Sequence, residues 1–170
     1  MPLVEGGKIS KDEFVQLADD APLPEAGSLL VSAARFLEGP ETLLQRNGKL
    51  GVIWPNNRDL DDLVPYLDRL AVVALKFPTF RDGRAYSQAR LLRERFAFKG
   101  QLRATGQVLR DQFVFMLRAG FDAFEVKKQS DAEAFSRTVE RYSVFYQPTG
   151  DGRPAAPLRR LQLRHSESAG

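Results

Sequence analysis

Apolar positions in this chain form short runs separated by stretches with helical spacing. Leu70-Ala-Val-Val-Ala-Leu-Lys-Phe77 is an almost unbroken apolar run, as expected of a strand covered on both faces. A polar turn, Pro78-Thr-Phe-Arg-Asp-Gly-Arg84, follows. Ala85, Ala89, Leu92 and Phe96 then recur on one helical stripe in a run that extends to Phe98. Gly100 separates this run from a strand over residues 101–105. Val108, Leu109, Gln112, Phe113, Met116 and Leu117 define a second helical face, which Gly120 ends. Residues 121–126 form a third strand, whose partial alternation suits a position near a sheet edge. This β-α-β-α-β alternation predicts right-handed crossovers and a parallel sheet, hence an α/β fold. Both an open doubly wound sheet and a partial TIM-like barrel fit, and the strand order stays open.

The flanks extend the same plan. Residues 50–54 form a strand and residues 55–58 a loop. Asp59 is placed to cap a helix over residues 60–67 that Pro65 shortens or kinks. Upstream, residues 29–31 form a short buried strand. A helix over 33–37 is interrupted by Pro40 and resumes over 41–46, and Asn47-Gly48 supplies a left-handed stop. Residues 1–27 form a small peripheral β section, with a hairpin around Gly6-Gly7 and a short strand in Phe14-Val-Gln-Leu17. Ser130-Asp-Ala-Glu133 has the form of a capping box opening a helix to about Phe145. Pro148 and Gly150 close the domain. A single α/β domain over 1–148 and a disordered tail over 149–170, rich in Gly, Pro, Ser and Arg, are expected.

Composition narrows the chemistry. The 170 residues include no cysteine, which removes thiol nucleophiles, disulfide exchange and iron–sulfur ligation. The one histidine, His165, lies in the expected tail, so neither a Ser-His pair nor a His-metal centre is expected. No apolar run reaches the roughly 18 residues of a membrane span. No secretory signal pattern opens the chain, and a cytoplasmic location is expected. The net charge of +3 hides an asymmetry: residues 76–110 carry nine Lys/Arg against two Asp/Glu. An anionic partner suits that segment.

In parallel α/β folds, ligands meet the loops at the carboxyl ends of strands. Three such loops carry polar clusters and should share one rim. The principal candidates for binding an anion are Lys76, Arg81, Asp82, Arg84, Tyr86, Ser87, Arg110, Asp111 and Gln112. Asn56, Asn57 and Arg58 form a secondary rim. Helix N-termini and arginine forks would supply the donors. The plainer alternative weighs evenly for each pair: Asp82 and Asp111 cap helices, or pair with Arg84 and Arg110. Arg90, Arg93 and Arg95 read as a solvated face. Trp54 reads as packing. Phe115 turns away from the buried stripe and marks a subunit contact, consistent with a homo-oligomer. There is no nucleotide fingerprint and no paired-His ligand motif. No metal site is assigned, and neither a cofactor nor a catalytic residue.

Three motifs carry a family resemblance. They are Phe80-Arg-Asp-Gly-Arg-Ala-Tyr-Ser-Gln-Ala-Arg-Leu-Leu-Arg-Glu-Arg95, Gly100-Gln-Leu-Arg-Ala-Thr-Gly-Gln-Val-Leu-Arg-Asp-Gln112 and Ala119-Gly-Phe-Asp-Ala-Phe-Glu125. Together they resemble a bacterial domain-of-unknown-function family labelled a probable oxidoreductase of sulfite reduction, over roughly residues 1–148. Ala85 stands where that family usually has glycine. The resemblance implies an accessory or redox protein of assimilatory sulfate and sulfite reduction, binding an oxyanion or nucleotide at the rim. Lacking cysteine, such a protein would need a borrowed organic cofactor for any electron transfer. The alternative is a non-catalytic partner docking on a sulfite or phosphoadenylyl-sulfate reductase. Nucleic-acid binding ranks last, because no reading motif accompanies the basic cluster.

Overall fold

The computed structural model describes residues 2–79 and 81–141. The expected closing turn, the disordered tail and His165 lie outside these residues. The elements run β1 (Leu3–Glu5), β2 (Lys8–Ser10), β3 (Val15–Gln16), β4 (Leu29–Ser32), α1 (Ala33–Glu38), α2 (Pro40–Leu44), β5 (Leu50–Pro55), β6 (Val72–Phe77), α3 (Arg84–Arg90), β7 (Gln101–Gly106), α4 (Phe113–Ala119), β8 (Ala123–Glu125) and α5 (Gln129–Arg141). They build one eight-stranded sheet in the order β2-β1-β8-β7-β6-β5-β4-β3. Strands β3 to β8 are parallel and lie in chain order. β1 pairs antiparallel to β8 and β2 antiparallel to β1, so the sheet is mixed rather than wholly parallel.

Chain order explains the shape. Right-handed crossovers that always step one strand the same way leave their helices on one face. Such a sheet curls, and this one is an open half-barrel. The strand order never reverses, so the crevice of a doubly wound sheet does not form. The N-terminal section makes the curl explicit. Only residues 11–14 link β2 at one edge to β3 at the other. Five extended steps span about 17 Å, whereas the outer strands of a flat eight-stranded sheet would lie about 34 Å apart. The first 27 residues are therefore divided between the two edges, with a strap between them. β8, read from its pattern as lying near an edge, is covered by β1 and β2.

Two apolar clusters lie on the two faces. The larger joins alternate strand residues, such as Val52, Trp54, Val73, Leu75, Leu102 and Phe124, to the helices through Phe36, Ala89, Leu92, Phe113, Met116 and Phe135. The smaller lies on the inner face and joins Phe14 of the strap to Leu30, Val72 and Ala74. Beside it, fully buried Arg103 grips Asp12 of the strap with both terminal nitrogens, at 2.6 and 3.0 Å. The same guanidinium reaches Glu125 at 3.1 Å and Gln101 at 2.9 Å, and lies over the Phe14 ring. Thr105 donates to Glu125, and Gln101 donates to Glu5.

Burial pushes the Asp12 carboxyl up. Hydrogen bonds from Arg103 and the Phe14 amide, together with the arginine charge, outweigh it and hold the pKa below the ordinary 3.8. A depressed carboxylate stabilises the fold above its unfolded pKa, and that contribution fades as the pH falls through the folded value. Asp12→Asn should therefore be less stable at neutral pH and lose less on acidification below about pH 4. Urea midpoints at neutral and acid pH test this.

Several elements differ from the sequence reading for local reasons. Residues 60–67 do not form an α-helix: a 3-10 helix occupies Val64–Arg69 instead, with Pro65 in its first turn, where the missing N–H does no harm. The helix after β6 relaxes into a π turn at Leu91–Arg95. Ser130 is the second residue of α5, not its cap. Arg93 is no solvated side chain. It donates to the carbonyls of Phe98, Gly100 and Gly120 and pairs with Asp122 at 2.8 Å, tying the helix to the lower ends of β7 and β8.

Candidate functional site

The parallel ladders place the carboxyl ends of β5, β6 and β7 side by side. Pro55 pairs with Lys76, Lys76 with Thr105, and Phe77 with Gly106. The three polar loops therefore leave one rim, as strand polarity required. Lys76 is exposed on it, between Pro55 and Thr105 across the ladder.

The first loop is a fixed shelf. Trp54 is fully buried, and its ring nitrogen donates to the carbonyls of Arg58 and Asp59 at 3.3 and 3.2 Å. Gln88, buried on α3, donates its side-chain amide to the Pro55 and Arg58 carbonyls at 3.1 and 2.8 Å. The Arg58 guanidinium lies over the Trp54 ring, 5.8 Å from its centroid. Trp54 is thus packing, and Asp59 contributes a carbonyl acceptor rather than a helix cap. Asn56 is buried and Asn57 exposed.

In the second loop, Asp82 and Arg84 form a fork. Nε of Arg84 donates to one carboxylate oxygen at 3.0 Å and a terminal nitrogen to the other at 2.6 Å, while the Arg84 amide also bonds Asp82. The Arg84 guanidinium holds the Asp82 carboxyl far below the usual carboxylate range, against its partial burial. The Arg84 amide and the Asn56 side chain add to the effect. Asp82 is therefore a firm anion at neutral pH and a poor proton donor. The structure brings Asn56, Asp82 and Arg84 together. Arg81 and Ser87 are exposed nearby. Tyr86 is half-buried, edge-on to Phe77 and Phe121 at centroid distances of 5.3 and 6.5 Å. Burial pushes its phenol up, so it stays protonated at neutral pH.

The third loop turns at Gly106, whose φ is +90°. Arg110, Asp111 and Gln112 form a 3-10 turn before α4, with Arg110 and Asp111 exposed. Gln112 takes the N-cap position, and no side-chain bond caps the helix. Leu109, expected on the buried face, is exposed. Phe115 is exposed as its periodicity indicated. Tyr86, Arg90, Gln112, Phe115 and Arg118 line a cleft of about 440 Å³ between α3 and α4. This cleft lies outside the predicted rim, although it includes two of the rim candidates.

Sequence reasoning missed Arg103, Asp12, Gln88 and the structural use of Arg93. Gln101, Arg103 and Thr105 alternate as polar residues in an otherwise apolar strand, a signal for a polar inner face. Nothing local pointed to Asp12, 91 positions away. Among the described residues, no cluster of metal-ligating side chains occurs. No described helix is long and apolar enough to cross a membrane.

The fold and rim define an α/β half-barrel protein with a strapped inner face and a helix-covered outer face. The chain belongs to a family described as a bacterial protein of unknown function, DUF934, whose pattern matches residues 51–156. That region covers every loop of the candidate rim and the α3–α4 cleft. No curated protein and no solved structure matches the chain.

Proposed function

We propose that this chain is a non-catalytic accessory protein of assimilatory sulfate and sulfite reduction, docking through its basic segment on a sulfite or phosphoadenylyl-sulfate reductase. The sulfur assignment rests on the resemblance of the three motifs. The docking assignment is carried by one observation: the Arg84 fork on the rim is spent on Asp82, while Arg90 and Arg95 remain exposed on the helical side. Exposed arginines in a segment of strong positive excess favour an acidic protein surface and speed its encounter.

The test is equilibrium binding of the purified chain to each purified reductase at low and physiological salt. A micromolar or tighter complex, weakened about tenfold or more by Arg90→Glu with Arg95→Glu, is the expected result. Binding that ignores both reversals contradicts the docking mode, and no binding to either reductase contradicts the proposal.

A second reading keeps a specific support. Lys76 stands exposed on the rim beside Thr105, where an oxyanion or nucleotide phosphate would meet an ammonium group. An oxidoreductase at that rim would act through a flavin or nicotinamide held from outside the chain. Sulfate and nucleotide titrations followed by amide shifts, with Lys76→Gln as comparison, separate this reading from docking.

A further inference from the structure

We propose that the contact is anchored in the cleft between α3 and α4, with Phe115 as its apolar knob, and that the occupant is an acidic segment presenting an aliphatic or aromatic side chain. This rests on the docking reading above and locates it on the outer face rather than at the rim. α4 already spends Phe113, Met116 and Leu117 on the core, all of them buried. Phe115 falls on the other side of the same helix and is 60% exposed, the largest exposed aromatic surface among the described residues. Phe115 lines the cleft, so one apolar side chain entering there would cover the ring. Capping such a ring with an apolar side chain is the arrangement that dominates contact energies, and aromatic and arginine residues are the types that carry it.

The rest of the cleft states the partner's chemistry. Its floor includes Tyr86, held by edge contacts with Phe77 and Phe121, so that side of the cleft is preformed and little ordering cost falls on binding. Its lining includes Arg90, an exposed cation in the chain's most basic segment. A second copy of this chain fits poorly: a two-fold contact through this patch would set two copies of the basic segment, nine Lys/Arg against two Asp/Glu over residues 76–110, against one another. An acidic segment with one apolar anchor meets both requirements at once.

The experiment compares the intact chain with Phe115→Ser and with Val15→Ser, binding each to the two reductases and measuring the mass of each alone across concentration. Both replaced side chains are exposed, and Val15 lies on β3 at the far edge of the sheet. Thermal melting verifies that both variants fold. The expected result is a loss of affinity of about tenfold or more for Phe115→Ser and none for Val15→Ser. Intact binding by Phe115→Ser overturns the cleft and leaves the docking reading standing. Failure of the unaltered chain to bind either reductase overturns both. Self-association that Phe115→Ser abolishes overturns the acidic occupant in favour of a second copy.

Discussion

Arg103→Ala should destabilise the protein by about 3–5 kcal/mol, the cost of breaking a buried ion pair by removing one partner. The side chain is fully buried and serves Asp12, Glu125 and Gln101 at once. Its removal leaves two carboxylates without their cation, of which Glu125 is 13% exposed. It also frees the strap that links the two sheet edges. Against a typical total of about 5–15 kcal/mol, a loss of that size threatens the native state itself. Urea denaturation gives the number directly. Asp12→Ala should cost less, because Arg103 keeps Glu125 as a partner. If Arg103→Ala proved no more harmful than an average surface change, the strap would not be holding the curl.

Gly106→Ala should be the most harmful single change on the rim. Gly106 lies at φ +90°, in the left-handed region, and a Cβ there would collide with the Phe77 carbonyl oxygen. Strained backbone of this kind costs about 1–3 kcal/mol before the collision is counted. The collision is with backbone, so no side-chain rotation relieves it. The Gln107 amide donates to the same Phe77 carbonyl at 2.8 Å, and the change should loosen the turn that feeds α4. Gly83→Ala is the matched comparison. Its φ is −81° and open space surrounds the added methyl. It should be neutral or stabilise by about 0.4–1 kcal/mol through the unfolded state. Paired urea melts test both, and equal effects would contradict the account of the turn.

The parts of this fold set by local periodicity were legible. The apolar run at 70–77, the stripe of Ala85, Ala89 and Leu92, the glycine stop at 120 and the outward turn of Phe115 all depend on neighbours within a few residues. What escaped was non-local. Strand order is not written in any one segment, so the sequence left the partial barrel as one of two options and gave no sign that β1 and β2 cover β8. Arg103 and Asp12 lie far apart in the chain, and Arg93 looked like its solvated neighbours because its carbonyl acceptors only converge once the sheet forms. At the candidate site the strand ends and their shared rim were readable from polarity. The Asp82–Arg84 fork was one of two balanced options, and it formed because a spacing of two lets the arginine fold back on the carboxylate. The α3–α4 cleft was the hardest part to see, since it needs two helices to lie side by side.

Amide hydrogen exchange of the chain with and without saturating reductase tests the central claim most directly, because it locates the contact without altering a residue. Protection concentrated in α3 and α4, with the rim loops at 55–59, 78–83 and 106–111 unchanged, is the predicted result. Protection confined to those rim loops, or a pattern identical with and without reductase, would contradict it.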